Sequence, residues 1–264
     1  MSDFPLTWMG KALRDRGLKV RAVKGWRTRG RPFSFDPRGV VFHHTASNRK
    51  SGSDPSLAIC VQGRSDLPGP LCHLMIGRDG TVYLVAAGRA NHAGLGGPWR
   101  NIPQDSANTY TIGVEVENDG VGEPWTDQLL DTCAEVFATL LVGLHRTQSW
   151  LIGHKEWAAG RKIDPNPVEM DPFRRRVRKT LAAMAAEKKG GKAQAPAAKT
   201  PKAKTPEPEP TTPTTAQIYV VKSGDTLFAI AQAHGTTVDE LKRLNNLTGD
   251  LIHPGDQLNV GAGN

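Results

Sequence analysis

Apolar residues along the first 183 positions fall into two spacings, and the two alternate. Val40-Val41-Phe42 is a short apolar run that ends on His43-His44, and Trp150-Leu151-Ile152 is another that ends on Gly153-His154. Runs this short and this apolar predict buried strands. Thr111-Ile112-Gly113-Val114-Glu115-Val116-Glu117 alternates with a period of two, placing Ile112, Val114 and Val116 on one face and both glutamates on the other. Cys72 to Gly77 and Thr81 to Val85 flank Arg78-Asp79-Gly80, and an Asp-Gly between apolar runs predicts a hairpin. Elsewhere the spacing is three to four. Leu6 to Gly17 reads as a short amphipathic helix with Met9, Ala12 and Leu13 on one face, and Pro55 to Gln62 as a helix beginning at Asp54. Thr126 is placed to cap a long helix whose core stripe is Leu129, Leu130, Cys133, Phe137, Leu140, Leu141 and Leu144. Asp171-Pro172 starts another, with Phe173, Val177, Leu181 and Met184 inward. Strands interspersed with helices predict an α/β domain: a mixed central sheet flanked by helices.

The pattern breaks from Glu187 to Thr215, where Lys, Ala, Pro, Thr and Glu dominate. Such a segment buries too little apolar surface to offset its ordering entropy, and its prolines bias it to extended structure at about 3.1 Å per residue. Globular character resumes with a strand at Tyr219-Val220-Val221, a turn at Ser223 to Thr226 and a helix from Leu227 to His234. Thr237-Val238-Asp239-Glu240 is a capping box opening a second helix that ends at Asn245-Asn246, and Gln257 to Val260 is a last strand. The chain therefore divides into an N-terminal extension packing on the main domain (1–38), the main domain (39–183), a Pro/Ala/Lys/Thr-rich linker (184–216) and a small βααβ module (217–261).

At 264 residues with net charge +8, the chain is basic, which points to an anionic target surface or a solvated tail. The excess lies in Arg174-Arg175-Arg176, Arg178-Lys179 and the lysines from Lys188 to Lys204. No DNA-reading motif or RNA-binding aromatic signature accompanies it, so nucleic acid is not an expected partner. Cys60, Cys72 and Cys133 form no C-x-x-C pair, and their odd count argues against a disulfide framework. Met1 to Thr7 has no basic flank followed by an apolar run, and no apolar stretch approaches membrane-spanning length. Synthesis in the cytoplasm without a signal peptide, no membrane insertion and a monomeric state are the expectations.

Chemistry concentrates in Gly153-His154-Lys155-Glu156-Trp157-Ala158-Ala159-Gly160-Arg161-Lys162-Ile163-Asp164-Pro165. Imidazole nitrogen and carboxylate oxygen are both zinc ligands, and catalytic zinc sites combine three protein ligands with an open position. His154 and Asp164 offer two. The strand ending in His43-His44 is the best source of a third, and because strand side chains alternate, only one of that pair reaches a given ion. If the face carrying Glu115 and Glu117 lines the same pocket, a carboxylate stands near the metal.

Five segments, in order, resemble the zinc-dependent type 2 N-acetylmuramoyl-L-alanine amidases, relatives of the peptidoglycan-recognition proteins. They are Phe42-His43-His44-Thr45, the hairpin through Gly77-Arg78-Asp79-Gly80-Thr81-Val82, His92-Ala93-Gly94, Ile112 to Glu117, and Gly153-His154 through Asp164-Pro165. Residues 217–260 resemble a LysM module through Tyr219 to Leu227, Asn245-Asn246-Leu247 and Ile252 to Leu258. The resemblance implies Zn2+ held by His43, His154 and Asp164, Glu115 as general base (Glu117 the alternative) and Lys162 as electrostatic stabiliser. It leaves His73 and His92 either to contact substrate or to make structural hydrogen bonds, and it implies glycan contacts at Gly224, Asp225, Thr226, Leu227, Asn245 and Asn246. The implied partner is bacterial peptidoglycan: a muropeptide at the main domain and N-acetylglucosamine-containing glycan at the module. The layout is similar to that of actinobacterial phage endolysins, released to the wall by a holin. Cys72 stands where some relatives carry a tyrosine, leaving that role vacant unless the thiol serves as a fourth ligand. A zinc-free recognition protein is the alternative from another class, and a paired-carboxylate glycosidase would leave the histidines idle.

Overall fold

The computed structural model describes residues 5–190 and, further along, 218–222, 225, 227–234, 236, 241, 242, 244, 245, 247, 252 and 255–260. The chain divides into two compact units, residues 1–197 and 198–264. The first unit opens with α1 (Met9–Asp15), β1 (Val20–Ala22), β2 (Gly39–His44), α2 (Leu57–Gln62) and the two-residue strands β3 (Gly63–Arg64) and β4 (Leu67–Pro68). It continues with β5 (Leu74–Ile76), β6 (Val82–Leu84), α3 (Ala107–Tyr110), β7 (Thr111–Val116) and α4 (Asp127–Gly143). It closes with β8 (Leu151–Gly153), α5 (His154–Trp157) and α6 (Met170–Gly190).

Six strands make one mixed sheet in the order β1-β6-β5-β7-β2-β8. The β5–β6 hairpin is its antiparallel pair, and the other neighbours run parallel. The hairpin turn is made as its residues require: Gly80 adopts φ 75°, and the Asp79 carboxylate accepts from the Thr81 N–H and hydroxyl at 2.9 and 2.8 Å.

One face of the sheet packs against α1, α4 and α6. Val40, Phe42, Leu74, Ile76, Ile112, Val114 and Leu151 meet Met9 and Leu13, Leu129 to Leu141, and Phe173 with Val177 in a single core. Phe42 is its hub, with ring centroids 4.9 Å from Phe137, 4.9 Å from Phe173 and 5.5 Å from Trp125. Thr126 caps α4, its hydroxyl oxygen accepting from Leu129 N–H at 3.2 Å. The segment before residue 39 is built into this domain: Leu6, Met9 and Leu13 are fully buried, Trp26 nearly so, and β1 is an edge strand of the sheet.

Helix α6 runs on to Gly190, into the stretch assigned from composition to the linker. Its last turns hold Ala185, Ala186, Glu187 and Lys188, strong helix formers, and Glu187 pairs with Arg16 of the N-terminal segment. The basic run of α6 is partly neutralised, Arg174 pairing with Glu156 and with Asp171 of the same helix, and Arg176 with Asp127 and Asp131 of α4. No helix among the described residues is long and apolar enough to cross a membrane.

In the second unit, β9 (Ile218–Val220) pairs antiparallel with β10 (Gln257–Asn259), and α7 (Leu227–Ala233) lies between them in sequence. Val221, Leu227, Ile230, Ala231, Leu241, Leu258 and Val260 form its core. The capping box expected at 237–240 lies outside the described residues.

Candidate metal centre and active site

The sheet's second face carries two apolar patches. One joins Val41 and Ile152 to Ala93, Ile102, Trp157 and Ala158; the other joins Met75, Tyr83 and Val85 to Cys60 and Cys72. A polar row separates them. The register sets His43 opposite Glu115, and Glu115 opposite Met75, on three neighbouring strands, so the strand periodicity that sends Phe42 into the core sends His43 and Glu115 to this face.

The ligand loop delivers its two residues to the same point. His154 opens α5 where β8 ends, and the chain returns after Gly160, at φ 77°. Lys155 N–H donates to the Asp164 carbonyl at 2.7 Å, tying together residues nearly ten positions apart. The exit is held by His44, whose Nδ1 accepts from Asn166 N–H at 3.1 Å. Asn166 also donates through Nδ2 to Gly120 O at 2.7 Å and accepts from Trp125 Nε1 at 3.0 Å. His44 therefore faces away from the ligand point and anchors the loop that carries Asp164.

His43 Nδ1, His154 Nδ1 and Asp164 Oδ2 converge: the nitrogens are 2.9 Å apart, and the oxygen lies 3.1 Å from the first and 2.8 Å from the second. All three residues are buried, and among the described residues this is the group able to hold a metal ion. The fit is good. Ligand atoms about 2.0–2.1 Å from one tetrahedral ion stand about 3.3 Å from each other, close to what these three atoms do unaided. Burial, then the neighbouring His154, lowers the His43 imidazole to about 4. Against the opposing effect of burial, the His154 and His43 imidazoles beside it hold the Asp164 carboxyl well below the usual carboxylate range. A neutral imidazole facing an ionised carboxylate is the protonation state a cation requires.

Glu115 Oε2 is buried with no hydrogen-bond partner. Burial foremost, then the charges of Asp164 and Glu117, push its carboxyl well above the usual range, while Lys162 pulls the other way. Lys162 itself is exposed, and its charge acts on both His43 and Glu115. Glu117, the alternative base, is otherwise engaged. Fully buried, it accepts from Thr45 Oγ1 at 2.6 Å, Ser56 N–H at 2.7 Å, Ser56 Oγ at 3.2 Å and the Ser47 hydroxyl, with Arg78 at 3.6 Å.

Residues 33–167 match the family described as N-acetylmuramoyl-L-alanine amidase, about half of the chain. The chain belongs to that family. Residues 219–261 of it match the LysM domain. Among curated proteins, the chain is 57% identical over 49 residues to the "Probable endopeptidase p60" of Listeria welshimeri, covering 19% of this chain and 9% of that one. It is 55% identical over 49 residues to the "Cell wall-binding protein YocH" of Bacillus subtilis (strain 168), covering 19% and 17%. It thus spans less than a fifth of the length of the curated relatives it matches. Among solved structures, a selenomethionine derivative of AmpD is 23% identical, covering 60% of this chain and 94% of that one with a TM-score of 0.48. For the catalytic domain of XlyA the values are 16%, 60%, 98% and 0.46. For the N-acetylmuramoyl-L-alanine amidase LysC from Clostridium intestinale URNW they are 22%, 60%, 97% and 0.42.

The remaining candidates of the amidase domain are interior groups. Of its two expected roles, His73 takes the structural one: it is fully buried, accepts from Gly113 N–H through Nδ1 at 2.9 Å and stacks on Phe35 at 5.0 Å. His92, only 8% exposed, bonds through both ring nitrogens, to His43 Nε2 at 3.0 Å and to the Thr111 carbonyl at 3.2 Å. Cys72 is not in the ligand group; it is fully buried, with its thiol on Cys60. In the LysM domain, Leu227 belongs to the core, which removes its side chain from the glycan surface expected for it. Asp225 accepts from Tyr219 Oη and Lys222 N–H, both at 2.8 Å. The Asn245 amide bridges Leu241 O and both backbone groups of Asn259. Gly224, Thr226 and Asn246 lie outside the described residues.

Three roles had escaped the sequence reading. His44 anchors the ligand loop, Glu117 organises the Thr45–Ser56 turn, and Gly113 makes room for His92. Only the last left a signal, a glycine inside a strand of β-branched residues, which marks a close approach.

Proposed function

We propose that this chain hydrolyses peptidoglycan at the amide between the lactyl group of N-acetylmuramic acid and L-alanine, as a Zn2+-dependent enzyme. The observation that carries the reading is the convergence of His43 Nδ1, His154 Nδ1 and Asp164 Oδ2 beside the unpartnered Glu115 carboxylate, inside the segment that matches the amidase family. Two imidazoles and one carboxylate are a donor set that zinc accepts.

Zinc bound there supplies a Lewis acid for the amide carbonyl and lowers the pKa of water toward neutrality. The residues of the chain do the rest. Glu115 takes a proton from the attacking water and returns it to the leaving amine, a role suited to a carboxylate with no competing partner. The Lys162 ammonium, exposed and charged, faces the negative charge that develops on the carbonyl oxygen. The LysM domain holds N-acetylglucosamine-containing glycan, and the connecting residues keep the catalytic unit at high effective concentration on the wall. A phage endolysin, made in the host cytoplasm as a monomer and reaching the wall through a holin, fits this combination.

Mass analysis of digested wall material tests the reading. Amidase action releases peptides with free L-alanine amino termini, and chelation stops it. New reducing sugars would indicate a glycosidase; retention of intact wall by a metal-free protein would indicate a recognition protein.

A further inference from the structure

Two imidazoles can present Nδ1 lone pairs to one ion only if both carry their proton on Nε2, so something must hold that tautomer. For His154 the device is direct: Nε2 lies 2.8 Å from the Ala93 carbonyl, which can only accept. For His43 it is indirect. Its Nε2 meets not a carbonyl or carboxylate, the usual partners of a ligating histidine, but Nδ1 of a second histidine, His92, at 3.0 Å.

The direction of that bond is decided one step further out. His92 Nε2 lies 3.2 Å from the Thr111 carbonyl, which again can only accept, and 3.3 Å from the Thr111 hydroxyl, whose proton is given to Ala107 O at 2.7 Å. In the neutral ring that burial favours, His92 therefore carries its proton on Nε2 and offers Nδ1 as an acceptor. His43 must donate through Nε2, and its Nδ1 is left bare toward His154 and Asp164. His92 sits where it does because Gly113 has no side chain: a Cβ there would fall 2.4 Å from His92 Cγ and 2.5 Å from its Nδ1.

We propose that Thr111 and Gly113, acting through His92 as a positioning residue, set the tautomer of His43. Strand β7 then has two duties on one face, at positions 111, 113 and 115: it selects which nitrogen of a metal ligand is free, and it carries the carboxylate expected to move the proton. The inference rests on the metal reading of His43.

Long-range 15N NMR of the imidazoles in the metal-free full chain tests it. The wild-type protein should show His43 and His92 protonated on Nε2. Two variants break the relay differently. His92→Phe keeps a ring over Gly113 but removes the acceptor; Gly113→Ala displaces the ring while every hydrogen-bonding group is retained. Each should turn His43 into a mixture of tautomers and weaken zinc binding, measured against a chromophoric chelator, by about 10- to 100-fold. His92→Gln, whose amide oxygen accepts, should recover part of the loss. A wild-type His43 protonated on Nδ1, or a tautomer unchanged in both variants, overturns the proposal, and the wild-type spectrum decides even if a variant fails to fold. If the tautomers are as stated and the full chain still binds no zinc, the metal reading fails and the relay stands as a property of the fold.

Discussion

The Oε2 atom of Glu115 is buried without a partner, while two residues along the chain both oxygens of Glu117 are bonded. Carboxylates that look alike in the sequence are therefore expected to fail differently. Glu115→Gln should retain the metal and lose hydrolysis by about 100- to 10,000-fold, the usual contribution of a positioned acid–base group; full activity in that variant would move the base elsewhere. Glu117→Gln should lower the denaturant midpoint instead, because it leaves buried donors poorly matched. His73 supplies a pH dependence. Burial lowers its imidazole from 6.5 to about 3, so between those values the unfolded chain binds more protons and stability rises with pH. The contribution is complete above pH 6.5 and is lost as pH falls toward 3, at about 1.4 kcal/mol per pH unit for the one group. Urea unfolding of the chelated protein between pH 4 and 7 should show this slope, and His73→Gln should flatten it.

Strand β2 shows most plainly how far the pattern could be read. Alternation placed His43 and His44 on opposite sides of the strand, and the ligand and the loop anchor are found there. Phe42→Ala should cost about 3–5 kcal/mol by denaturant titration, the range for truncating a buried aromatic; a much smaller cost would mean the hub collapses around the gap. Periodicity along each strand and helix is local, so the elements were legible. The ligand set needed the resemblance, because which distant loops meet depends on the register between strands, and no single-strand pattern contains it. The fate of His73 and His92 was hidden for the same reason. His92 sits beside turn residues in sequence and His73 at the start of a strand, yet the rings of half-buried Phe35 and of buried His73, His92 and His43 form a continuous series at 5.0, 5.5 and 5.2 Å.

At the scale of the whole chain, two units are each complete in their own core. Removal of residues 198–264 is therefore expected to leave hydrolysis of a small soluble muropeptide intact and to weaken co-sedimentation with cell walls. Equal sedimentation of both forms would locate wall affinity in the catalytic unit. The boundaries of that unit are wider than the family match. A fragment trimmed to 33–167 would lose α1, β1 and all of α6, and with them Met9, Leu13, Phe173 and Val177 from the core. It would also uncover the outer backbone of β6, where Val82, Tyr83 and Leu84 now pair with Val20, Arg21 and Ala22. A bare strand rim beside exposed apolar side chains recruits further copies of itself. Insolubility of such a fragment would thus report a missing edge guard and leave the catalytic residues blameless.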